Sequence, residues 1–181
     1  FGGLVALRLA QRRPRGVSRL ALLGAAGLGR DVTRLLRLAA LPGVGPAALR
    51  PSRRATRQLL RRRLTAGTPL EPEHESALVD YLVSSAAATG TALLARGVRA
   101  SLSWRGQREV LSDAELAAVA PPTLVVWGER DRMLPRAHGE RAASCIPRAV
   151  LCVLPGAGHS PNWEAPDVLL GLLLPFFSEG G

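Results

Sequence analysis

Apolar residues along this chain fall into short unbroken runs and into longer runs spaced for a helix, and the alternation of the two predicts a parallel sheet. Leu4 to Ala10 is apolar nearly all round until Gln11-Arg12-Arg13-Pro14 stops it, which predicts a short buried helix closed by proline. Val17-Ser18-Arg19-Leu20-Ala21-Leu22-Leu23 then reads as a strand covered on both faces, ending in Gly24-Ala25-Ala26-Gly27. Thr123-Leu124-Val125-Val126-Trp127, introduced by Pro121-Pro122 and ended by Gly128, is a second such strand, and Ala149 to Leu154 is a third. A helical stretch from about Pro135 to Ile146 separates these two, and another helix starts near Pro166, a favoured first-turn residue. Pro175 is expected to kink or end that helix before Phe176-Phe177, because it lacks an N–H. Strand-helix-strand-helix order predicts an α/β fold with right-handed crossovers. Three strands are few for such a sheet, so further strands are expected from sequence preceding Phe1.

Between the first and second strands the pattern is helical only: Asp31 to Leu38, the arginine-rich Arg53 to Arg63, and Glu73 to Arg96. Residues 29–109 are therefore read as an inserted helical cap, and residues 1–28 and 110–181 as the core. Ser112-Asp113-Ala114-Glu115 has the form of a capping box, starting a helix that returns the chain to the sheet at Pro121.

Composition narrows the function classes. The 181 residues are 47% hydrophobic, enough for a real core. The net charge of +10 suggests an anionic partner, yet all 24 basic residues are arginine. Abundant Ala, Gly, Leu and Pro beside them point to a GC-rich coding sequence, and aromatic content is only 4%, so no nucleic-acid partner is expected. The run Arg53-Arg54, Arg57, Arg61-Arg62-Arg63 reads as a solvated helix face, with an acidic substrate or anionic surface as the other reading. Apolar stretches such as Val168 to Leu174 are too short to span a bilayer, so no membrane partner is expected, and the cytoplasm is the default compartment. Cys145 and Cys152 match no zinc or redox spacing and read as buried free thiols.

The chemistry concentrates at two strand ends. Trp127-Gly128-Glu129-Arg130-Asp131 places an acid just past one buried strand, and His159 follows 28 residues later, just past the next. Catalytic groups of open parallel sheets gather at these carboxyl ends. An imidazole that moves protons needs a carboxylate on Nδ1 to fix its tautomer. Glu129 is a second candidate acid, nearer the strand. His138, without an acidic neighbour, and His74, among Glu71, Glu73 and Glu75, both read as solvated, and a metal site at the latter has one histidine among flexible carboxylates as its sole support. Trp104 and Tyr81 read equally as pocket lining or as packing of the cap.

Val125-Val126-Trp127-Gly128-Glu129-Arg130-Asp131 with Leu134-Pro135, and Leu154-Pro155-Gly156-Ala157-Gly158-His159-Ser160-Pro161 with Glu164 and Pro166, resemble the acid and histidine motifs of the α/β-hydrolase superfamily. Phe1-Gly2-Gly3-Leu4 resembles the second half of that family's nucleophile elbow, in which a sharp turn joins strand to helix. The resemblance covers about residues 1–28 and 110–178. It implies a partial α/β-hydrolase fold, Asp131 as the orienting acid, His159 as the general acid-base, and the backbone N–H of Phe1 as one oxyanion donor. It also places the nucleophile immediately before Phe1, so the chain is expected to be a C-terminal portion that is inactive by itself. The activity implied is hydrolysis of a small apolar ester or acyl substrate, with no cofactor and no metal. A carbon–carbon bond hydrolase, dehalogenase or epoxide hydrolase is the alternative, and a non-catalytic binding module derived from such an enzyme is the rival. The sequence is silent on oligomeric state.

Overall fold

The computed structural model describes residues 2–44, 50–65 and 69–178. The chain opens with α1 (Gly2–Arg12), passes through a single 3-10 turn at Pro14–Gly16, and enters β1 (Leu20–Leu23). Next come α2 (Arg34–Ala39), α3 (Arg53–Leu59) continued by a π-helical turn at Leu60–Leu64, α4 (Pro72–Thr89) and α5 (Thr91–Ser101). A small antiparallel hairpin follows, β2 (Leu102–Ser103) and β3 (Gly106–Gln107). The chain then returns through α6 (Asp113–Ala117), β4 (Thr123–Gly128), α7 (Ala137–Cys145), β5 (Ala149–Leu154), α8 (Pro161–Glu164) and α9 (Pro166–Ser178).

β1, β4 and β5 form one parallel sheet in that order. Every residue of the central strand β4 is buried, which is why its sequence shows no polar alternation. Its two faces serve two layers. Val125 and Trp127 pack with Leu7 of α1, Leu22 of β1, and Ala142 and Ile146 from the α7 side. Leu124 and Val126 pack on the opposite face with Leu154 and Leu169, beneath α9. Burial of each such aliphatic side chain contributes about 1.5–3 kcal/mol. A separate small cluster of Leu60, Leu78 and Val79 holds the π turn against α4.

Four sequence expectations need correction. β1 begins at Leu20 rather than Val17, because the register sets Leu20 opposite Thr123 and the residue before Thr123 is Pro122, which has no N–H to extend the ladder. The stretch Glu73 to Arg96 is two helices, bent by 93° at Gly90, whose φ of +79° suits glycine best. Residues 29–109 are not helical throughout, since β2 and β3 pair there; strands of two residues leave no periodic signal. Pro175 neither ends α9 nor separates off Phe176-Phe177, for the helix runs on to Ser178. Pro175 and Gly171, four residues before it, are both exposed, so the carbonyl left without a partner faces water.

Ser112 caps α6 as its sequence predicts. Its hydroxyl accepts from the Glu115 N–H, and the Glu115 carboxylate accepts from the Ser112 N–H at 2.8 Å.

Candidate active site

The acid loop leaves β4 through Gly128, where any Cβ would collide with the carbonyl of Gly158. Only glycine lets the loops after β4 and β5 pass this closely. The Arg130 N–H donates to the Ala157 carbonyl at 2.8 Å and the Glu129 N–H to the Leu154 carbonyl at 3.0 Å, so the two loops are tied by backbone before any side chain acts.

On that frame Asp131 and His159 meet. His159 Nδ1 lies 2.8 Å from Asp131 Oδ2. The other carboxylate oxygen, Oδ1, accepts from the N–H groups of Met133 at 2.7 Å and Leu134 at 3.0 Å. Those two donors hold the carboxylate in one rotamer and compensate the loss of water around a side chain only 1% exposed. The imidazole is 24% exposed, so it is half-open to the space above the sheet. Nδ1 donating to the carboxylate leaves Nε2 as the acceptor nitrogen.

The histidine loop is held from below by a residue the sequence reading named without a role. Glu164, nearly buried, accepts from the Gly158 N–H at 2.7 Å through Oε1 and from the Ser160 N–H at 3.0 Å through Oε2. It grips the backbone on both sides of His159. The π turn reaches the same loop, because the His159 N–H donates to the Leu64 carbonyl at 2.9 Å.

Behind the imidazole the backbone of Gly24, at φ +49°, comes close enough that a Cβ would sit 3.2 Å from Nδ1. The next residue, Ala25, packs on Gly3, where a Cβ would be 2.5 Å from the Ala25 Cβ. The first turn of α1 therefore packs on the loop after β1, whose Gly24 backs His159. Phe1, whose N–H is the expected oxyanion donor, lies outside the described residues. Gln107, also unforeseen, fixes the loop after β1: its side chain accepts from the Gly27 N–H at 2.7 Å and donates to the Gly29 carbonyl at 2.6 Å.

The remaining candidates disperse. Glu129 is exposed and turns away, its Oε2 accepting from the Gly156 N–H. His74 is exposed, as expected, while Glu75 turns inward to ion-pair with Arg57 and Arg61. The Arg61 guanidinium, hydrogen-bonded to it, holds the Glu75 carboxyl below the ordinary carboxylate range. Among the described residues no group of three or more His, Cys, Asp or Glu is placed to hold a metal ion. Trp104 and Tyr81 are exposed and lie outside the buried core. His138 is not solvated but buried, edge-on to Trp127 and against Gly29, whose missing side chain makes room for the ring. Its Nδ1 has no hydrogen-bond partner, and burial pushes its pKa down.

An open parallel sheet with an acid and a histidine paired at neighbouring strand ends defines the class of the nucleophile-elbow folds. The chain belongs to the alpha/beta hydrolase family, whose model matches residues 1–172. It is 30% identical over 183 residues to an uncharacterized protein of Mycobacterium tuberculosis, an alignment covering 97% of this chain and 53% of that one. It is 27% identical over 194 residues to the 2-hydroxy-6-oxononadienedioate/2-hydroxy-6-oxononatrienedioate hydrolase of Comamonas testosteroni, covering 99% and 61%. Among solved structures, a meta-cleavage product hydrolase from Pseudomonas fluorescens superposes with a TM-score of 0.71 at 25% identity, covering 99% of this chain and 62% of that one. The chain thus spans little more than half the length of the relatives it matches.

Proposed function

We propose that the protein is a hydrolase of small, largely apolar ester or acyl substrates, with His159 as general acid-base and Asp131 as its supporting carboxylate. The observation that carries this reading is the 2.8 Å contact between His159 Nδ1 and an Asp131 side chain already fixed by two backbone donors. Nε2 is then the nitrogen that takes a proton from a nucleophile and returns it to the leaving group, while Asp131 stabilises the imidazolium formed in between. The nucleophile, read as serine, would stand immediately before Phe1, ahead of α1, whose first turn packs on Ala25, the neighbour of the Gly24 that backs His159. Attack on the acyl carbon would form a covalent intermediate that water resolves, with the Phe1 N–H as one oxyanion donor. The chemistry runs on side chains and backbone, so the proposal calls for a small-molecule substrate and no cofactor.

Carbon–carbon bond hydrolysis is the second reading, favoured by the names of the Comamonas testosteroni and Pseudomonas fluorescens relatives. The test is hydrolysis of short p-nitrophenyl esters, and of a 2-hydroxy-6-oxo-dienoate, by the full-length protein. His159→Ala should abolish turnover, and Asp131→Asn should lower kcat by about 10⁴-fold. Turnover that survives His159→Ala would refute the reading; a full-length protein inert to both substrates would favour a binding module.

A further inference from the structure

A groove of about 540 Å³, half-open to solvent, lies between α2, α3, α4 and α5. Its volume falls in the range of small-molecule sites. Five leucines line it, Leu35, Leu59, Leu64, Leu82 and Leu94, and so do Arg50, Arg62 and Arg63. The groove is tied to the candidate site by a backbone hydrogen bond, since the Leu64 that lines it is the residue whose carbonyl accepts from the His159 N–H.

The arginines are not equivalent. Arg57 and Arg61 share the single carboxylate of Glu75, and Arg53 pairs with Asp80. Arg63 donates to the Thr33 hydroxyl at 3.3 Å. Arg50 and Arg62 have no carboxylate or other hydrogen-bonding partner among the described residues. Arg62 and Gln58 also line a shallow surface depression with Arg54, Arg57 and Arg61, so a basic surface leads to the groove. Helical geometry accounts for the placement. Ala55, Leu59 and Arg63 follow one another at four-residue spacing, and the wider π turn, closed by the Thr65 N–H on the Leu60 carbonyl at 2.8 Å, brings Arg62, Arg63 and Leu64 together onto the groove side. Such turns insert a residue into a helix at the cost of regular packing, and they recur where a helix faces a ligand.

We propose that this groove selects substrates that carry a carboxylate at the end of an apolar chain, the chain lying among the leucines and the carboxylate on Arg62 and Arg50. The inference rests on the hydrolase reading for its meaning, and on the groove alone for its test. Solvent-exposed arginines by themselves would bind any anion weakly; leucines beside them make the groove a filter for amphiphilic monoanions, because the chain contributes apolar contact and the guanidinium contributes a charge-assisted hydrogen bond.

Calorimetric titration of the full-length protein with octanoate and with the neutral isostere octanamide decides it. Octanoate should bind roughly 10- to 100-fold more tightly, the worth of a hydrogen bond to a charged group. Arg62→Ala combined with Arg50→Ala should remove that preference, whereas Arg12→Ala, which deletes an exposed charge on α1, should keep it. Leu94→Trp, which obstructs the groove, should abolish binding of both. Equal affinity for the two ligands, a preference that survives the double substitution, binding unaffected by Leu94→Trp, or no binding of either would overturn the proposal. Ester hydrolysis lost in His159→Ala alongside equal ligand affinities refutes this inference alone; a preserved anion preference in a protein without turnover refutes the hydrolase reading alone.

Discussion

Glu164 shows how one carboxylate acts through another residue's backbone. Both of its oxygens are committed to N–H groups flanking His159, so the ring is placed by the loop as well as by Asp131. Glu164→Gln would keep the volume but turn one acceptor into a donor facing an N–H. The expected result is a fall in kcat of about 10²-fold with KM little changed, the scale set by a misplacement of about 1 Å. Kinetics on the full-length enzyme, with melting curves to show that the variant folds, check this. Asp131 and His159 were legible in the sequence because each follows an unbroken apolar run at a strand end. Glu164 stood in the same motif, yet nothing in its spacing says that its oxygens point at the Gly158 and Ser160 N–H groups. The Met133 and Leu134 donors were illegible, since every residue but proline carries an N–H.

α7 docks on β4 through two adjacent residues that sequence reading placed in solvent or passed over. At Gly139 a Cβ would lie 2.8 Å from Trp127 Cε3, so the helix approaches the indole as closely as backbone allows. The Trp127 Nε1–H donates to the Leu134 carbonyl at 3.2 Å, and His138 packs edge-on against the same ring. The charged groups acting on His138 are Asp31, Asp131 and Arg141, and burial outweighs them. Its pKa in the fold is below the ordinary 6.5, so the unfolded chain binds a proton where the folded chain does not. Stability at this site is therefore complete above about pH 6.5 and declines as the pH drops below it, until the lowered pKa is reached. Melting temperatures recorded from about pH 8 to pH 5 should fall more steeply for the wild-type protein than for His138→Phe, and identical slopes would contradict the assignment. Sequence pattern misjudged His138 because an imidazole beside arginine and glycine reads as polar. The space that accepts it is made by Gly29, far away in the chain.

At the scale of the molecule the sheet is open on both sides among the described residues. β1 pairs with β4 alone, and the far edge of β5 carries Val150, 62% exposed. Val5 and Leu9 of α1 and Leu23 of β1 also face outward. An unpaired strand edge beside apolar surface is a template for another chain. Expressed as these 181 residues, the protein is expected to associate through the β1 edge, which light scattering on a size-exclusion column would detect; a monodisperse monomer would refute it. The sequence by itself determined the parallel order of the three strands, the capped return through α6 and the two loops that carry Asp131 and His159, because each is written in local periodicity, capping residues and strand ends. Only the tertiary structure decided the 2.8 Å contact between Asp131 and His159, the grip of Glu164, the burial of His138, the bend at Gly90 and the arginine-lined groove beside Leu64. These depend on which distant backbones approach one another and on which glycines let them, and such distances are set by packing rather than by any local pattern.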